Sequence, residues 1–135
     1  MEERIVTCRL AGKDYPMALT VRATKAVTER YGDLGELGEK LQTASYGEQL
    51  DMAIWLLARL ILDGCDLQRY LHPEKDTPPA PDEDLLSLLL RPGDLQWLRP
   101  TIMRCMTEGM DRDVPTEDDG KNPAAGSETG NSSPG

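Results

Sequence analysis

Met52-Ala53-Ile54-Trp55-Leu56-Leu57-Ala58-Arg59-Leu60-Ile61-Leu62 is the most apolar run in the chain, interrupted only by Arg59. A helix that is apolar nearly all round has to be enclosed by other elements, whereas a surface helix needs only one apolar stripe. The run therefore predicts a buried central helix within the stretch Ser45 to Leu71. It is well short of the ~20 apolar residues that span a bilayer, and Arg59 sits inside it, which argues against a membrane segment. Ser45 with Glu48 three residues on has the form of a capping box, so the helix is expected to start there. Gly64 reads as its stop, with Asp66 to Leu71 adding one more turn before His72-Pro73 ends it.

Upstream, Val6, Cys8 and Leu10 alternate with Ile5, Thr7 and Arg9, which is strand periodicity. Ala11-Gly12-Lys13-Asp14 can turn the chain, and Tyr15, Met17 and Leu19 repeat the alternation, so a β-hairpin is predicted. Pro16 has no N–H to donate and assigns the second strand to an edge. A lone hairpin is marginal in water, so this one has to lie on helices or pair with another chain. Ala23, Val27 and Tyr31 then share one helical face, ended by Gly32. Asp33 with Glu36 opens a short helix carrying Leu34, Leu37 and Leu41, which Gly35 and Gly38 weaken by roughly 1 kcal/mol each relative to Ala.

Downstream, residues 73–81 contain four prolines and form an extended, exposed connector. Asp82 caps a short helix bearing Leu85, Leu86, Leu88, Leu89 and Leu90, stopped by Arg91-Pro92-Gly93. Asp94 opens the last helix, with Leu95, Leu98, Ile102 and Met106 at helical spacing and Gly109 at its end. Pro100 either kinks that helix or splits off its first turn. Residues 111–135 hold six acidic and two basic residues, with Val114, Ala124 and Ala125 their only aliphatics. So little apolar surface cannot offset the entropy of ordering, which predicts a disordered acidic tail. The expected fold is mainly α: a small domain over residues 1–110 with about five to six helices and an N-terminal hairpin.

The chain of 135 residues carries 15 Lys and Arg against 24 Asp and Glu, a net charge of −9. That balance repels phosphate backbones and anionic lipid, so neither nucleic acid nor membrane is expected as a partner. Met1-Glu2-Glu3-Arg4 lacks the basic-then-apolar pattern of a secretory signal, and a cytoplasmic location is expected. Cys8, Cys65 and Cys105 are odd in number and widely spaced, unlike a disulfide framework, and are expected as reduced, buried thiols.

Catalytic and metal chemistry find little support. Cys8, Cys65, Cys105 and the single histidine, His72, are ligand types that suit tetrahedral zinc, but no Cys-x-x-Cys pair accompanies them. His72 is also the one base that a cysteine nucleophile would have. Asp33, Asp82 and Asp94 are explained as helix starts, and no Gly-Lys-Ser/Thr phosphate loop exists. No catalytic residue, metal or cofactor is therefore expected. Met103, Met106 and Met110 lie near one face of the final helix and serve either the core or a partner groove. Arg59, isolated among apolar residues, belongs either to an interface or to an internal ion pair.

The order of features resembles a family. An N-terminal hairpin containing Arg9-Leu10-Ala11-Gly12-Lys13-Asp14-Tyr15 leads into a helix ending Tyr31-Gly32-Asp33-Leu34. A Leu-rich helix follows, then the apolar helix ending Leu62-Asp63-Gly64, a Leu-rich helix pair and a polar tail. This looks like the tail assembly chaperones of long-tailed bacteriophages and prophages, over residues 4–110. The resemblance implies a non-enzymatic protein of the host bacterial cytoplasm that binds the tape measure protein and helps recruit tail tube subunits. It also implies a tendency to homo-oligomerise, and for many members a second, longer product made by ribosomal frameshifting; Gly120-Lys121-Asn122 has codons able to form a slippery heptamer. The alternative is a small acidic inhibitor or adaptor docking on a host protein, a nucleic-acid-binding one among the candidates. Few and short elements leave part of an all-round apolar helix uncovered, and Trp55, Arg59 and Leu62 are the expected partner-binding residues there, with Met103, Met106 and Met110 as a second set.

Overall fold

The computed structural model describes residues 5–110; the expectations for residues 111–135 and for Gly120-Lys121-Asn122 lie outside the described residues. The elements run β1 (Val6–Leu10), β2 (Lys13–Met17), α1 (Val21–Tyr31), α2 (Leu34–Thr43), α3 (Tyr46–Leu71), α4 (Glu83–Leu89), a 3₁₀ turn (Pro92–Asp94) and α5 (Leu95–Met110). The fold is mainly α, with one antiparallel hairpin. Among the described residues no helix is long and apolar enough to cross a membrane.

Local chemistry accounts for most element starts. Asp33 accepts from the Glu36 N–H and Glu36 from the Asp33 N–H, and Ser45 and Glu48 repeat the exchange, so both predicted capping boxes are formed. Thr20 and Asp82 cap α1 and α4 by accepting from the N–H of Ala23 and Leu85. The hairpin turn is narrower than the four residues expected, because Ala11 and Gly12 both take positive φ (50° and 81°) and close it in two.

One apolar cluster joins the hairpin to all five helices, with α3 at its centre. Val6, Cys8 and Leu10 of β1 point inward, whereas β2 continues into an unbroken buried run from Tyr15 to Leu19. That run is buried because it crosses α3 at backbone distance. A Cβ built on Gly64 would lie 2.3 Å from the Pro16 carbonyl oxygen and 2.6 Å from Met17 Cα. The Ala18 N–H donates to the Leu60 carbonyl at 3.1 Å. Gly64 therefore does not stop the helix, as its residue type suggested. It is the contact point for the strand, and α3 continues for 26 residues to Leu71. Gly109 repeats this on α5, where an added Cβ would meet Leu19 Cβ at 2.5 Å. It too lies within its helix, which extends to Met110. Pro100 does not split α5. It occupies the second turn, and the Gln96 carbonyl left without a donor belongs to an exposed residue.

Candidate protein-binding groove

The face of α3 turned from the core is only partly covered. Met52, Ala53, Leu56, Leu57, Leu60 and Ile61 are buried, while Ile54, Trp55, Ala58 and Arg59 are intermediate and Leu62 is 41% exposed. The central helix is therefore not enclosed all round. At helical spacing Trp55, Ala58, Arg59 and Leu62 form one stripe. They line one wall of a groove of about 290 Å³ whose other wall is Ala80, Pro81, Asp82 and Glu83. The connector thus does more than join helices: its last residues and the α4 start build the far side of the groove. Pro81 anchors that wall by being buried.

Each side chain of the stripe is held by identifiable neighbours. Trp55 packs edge-on against Tyr31 of α1, ring centroids 5.5 Å apart at 82°, and the Arg30 guanidinium lies 5.0 Å from the Trp55 ring. Both geometries favour a fixed indole over a mobile one. Arg59 resolves to the internal ion pair: its Nη2 donates to Asp63 Oδ1 at 2.5 Å, one helical turn on. Asp63 is 1% exposed and also accepts from the Thr20 hydroxyl and, at 2.8 Å and 3.1 Å, from Nη2 and Nε of Arg22. Burial pushes its carboxyl pKa up, but the bonds from Arg22, Thr20 and Arg59 outweigh that and hold it below the usual value. Asp63 therefore stays ionised, pins α1 to α3 and fixes Arg59 at the groove wall.

The α4 helix carries a separate exposed apolar side, which does not line this groove. Of its leucines, Leu86 alone is buried; Leu85, Leu88 and Leu89 are 43%, 82% and 39% exposed. These three share one side at spacings of three and four residues. Five leucines within six positions could not all face one core from a seven-residue helix, and that was the signal in the sequence.

The methionines separate. Met106 is buried at 3%, so as a partner residue it is corrected to a core one: it lies on the inner face of α5 with Ile102 and Cys105. Met103 is half-buried in another groove, with Gly38 and Leu41 of α2 and Pro100 of α5, about 560 Å³ in volume. Met110, at the end of α5, is 60% exposed. Neither Met103 nor Met110 lines the Trp55 groove.

Burial raises the pKa of Cys8 to about 11, that of Cys105 to about 12, and that of Cys65 in the same direction, which keeps all three as thiols. Among the described residues no group of three or more His, Cys, Asp or Glu side chains is placed to hold a metal ion. Comparison with protein-family models, curated proteins and solved structures gives no match to any of them.

Proposed function

We propose that this protein is a tail assembly chaperone of the long-tailed phage type, which holds an apolar helical segment of a tape measure protein and helps recruit tail tube subunits. The observation carrying this reading is the open α3 stripe of Trp55, Ala58 and Leu62 along the groove wall. An exposed apolar stripe lining a groove on a small acidic protein marks a contact site. A groove between a helix and a proline-built wall suits an amphipathic helix, whose anchors recur every three or four residues. Met103 and Met110 form the second contact surface in this reading, for a tube subunit. A second copy of the chain competes for the same apolar face, and sedimentation of the protein alone measures that pairing.

Co-expression with a long helical tape measure protein tests the proposal. That protein should become soluble and co-purify with the wild-type chain, and Leu62→Glu should lose most of the yield while keeping its own fold. Failure of the wild type to solubilise or retain it removes the reading. The net charge of −9 favours a second reading, an acidic inhibitor or adaptor that docks on a basic host protein. That one predicts affinity falling steeply with salt, whereas an apolar groove predicts weak salt dependence.

A further inference from the structure

We infer that the free edge of β1 is a strand-addition site for an extended, acidic segment of a partner protein, separate from the α3 groove. The register carries the argument. A two-residue turn with positive φ at both Ala11 and Gly12 makes the flanking residues, Leu10 and Lys13, a hydrogen-bonded pair. Antiparallel pairs alternate, so Cys8 with Tyr15 and Val6 with Met17 are also hydrogen-bonded, whereas Arg9 with Asp14 and Thr7 with Pro16 are not. Pro16 agrees, since it has no N–H to give. The N–H and C=O groups of Thr7 and Arg9 therefore point away from β2.

The two edges of the hairpin differ. On the β2 side α3 closes in, with Gly64 against the Pro16 carbonyl. Among the described residues no strand covers the β1 side. A groove of about 410 Å³ lies there instead, lined by Thr7 and Arg9 of β1 and by Trp97, Pro100, Thr101 and Arg104 of α5. Exposed donors and acceptors two residues apart on one strand match the repeat of an added extended chain.

Side chains in the groove set the chemistry of the occupant. Trp97 is 37% exposed and donates its indole N–H to Asp94 at 2.9 Å, which leaves ring surface for contact. Arg9 pairs with Asp14 at 2.8 Å with both side chains solvated, and Arg104 makes no ion pair among the described residues. The groove lining itself holds two guanidinium groups and no carboxylate, and with Arg9 engaged by Asp14 it is Arg104 that favours a carboxylate on the occupant. An incoming strand alternates its side chains, so it places small apolar residues against Trp97 and Pro100 and carboxylates toward Arg9 and Arg104. A second copy adding by the same edge would bring its own Arg9 and Arg104 to the seam, cation against cation, which disfavours self-pairing.

Backbone amide NMR on the full chain tests this with a blocked octapeptide of alternating valine and glutamate as probe. The peptide should shift the Thr7 and Arg9 amides, and a peptide with lysine in place of glutamate should not. Thr7→Pro removes an outward N–H without touching the hairpin ladder, and it should abolish binding with the melting temperature nearly kept. Arg9→Glu with Arg104→Glu should weaken binding about tenfold or more. The inference is overturned if saturating peptide leaves those amides unmoved, or if Thr7→Pro and the double charge reversal both bind like wild type. It is equally overturned if the Thr7 and Arg9 amides are already protected from exchange in the protein alone, because the edge is then filled by the chain itself or by a second copy.

Discussion

Gly64→Ala separates two physical roles for one glycine. Were Gly64 only a weak point in α3, replacing it with alanine would stabilise the helix by about 1 kcal/mol. The packing predicts the opposite sign. The added Cβ would meet the Pro16 carbonyl oxygen at 2.3 Å, its carbon at 2.5 Å and Met17 Cα at 2.6 Å. All three are backbone atoms, so no rotamer change relieves them, and β2 has to retreat by roughly 1 Å to restore ordinary contact. Retreat also strains the Ala18 N–H bond to the Leu60 carbonyl, one helical turn away. Overpacking costs about 1–3 kcal/mol and a weakened hydrogen bond about 1 more. After the propensity gain, the net loss is roughly 1–3 kcal/mol, a fall in melting temperature of about 5–20 °C. Gly47→Ala in the first turn of the same helix is the control, because nothing lies within 4 Å of its added Cβ. It should stabilise by up to about 1 kcal/mol. Urea and thermal unfolding followed by far-UV circular dichroism measure both. A Gly64→Ala protein as stable as its parent would refute the strand-on-helix packing.

Four further outcomes follow from the buried groups and caps. Asp63→Ala should cost about 3 kcal/mol, since Arg59 loses its partner in a largely buried position. Because the folded pKa of Asp63 lies below the unfolded value of about 4, its contribution is present above that pH and is lost as pH falls through the folded pKa. Urea midpoints should therefore drop less on going from pH 6 to pH 3 in Asp63→Asn than in wild type; an equal drop removes the assignment. Asp82→Ala should cost about 1 kcal/mol through the lost α4 cap and should also weaken partner retention, because α4 begins at the groove wall. Cys8, Cys65 and Cys105 should resist a thiol reagent in the native protein and react together on unfolding; fast labelling of any one would show its burial to be wrong.

Features governed by neighbours three or four residues away were legible in the sequence. The boxes Asp33 with Glu36 and Ser45 with Glu48 are of this kind, as is the alternation of β1. What could not be read was contact between distant segments. Thr20 and Arg22 reach Asp63 across 43 and 41 residues, and no local pattern announces a carboxylate buried that way. Gly64 and Gly109 look like helix stops by residue type, and their role as close-approach points exists only once β2 and Leu19 are laid against them. The candidate groove is half visible in the sequence: Trp55, Arg59 and Leu62 do share one wall, but Ala80 and Pro81 sit in a proline-rich stretch whose composition shows only a connector. Met106 shared a helical stripe with the core residues, and periodicity alone does not say which side of a stripe boundary is covered.

Site-specific photo-crosslinking in cells co-expressing a tape measure protein tests the central claim most directly. A photoreactive residue is placed at position 62, on the open α3 stripe, and in a parallel variant at position 21, where Val21 is 79% exposed at the start of α1 and does not line the groove. The account predicts an adduct with the tape measure protein from position 62 and none from position 21. No adduct from position 62, or equal adducts from both, would contradict it.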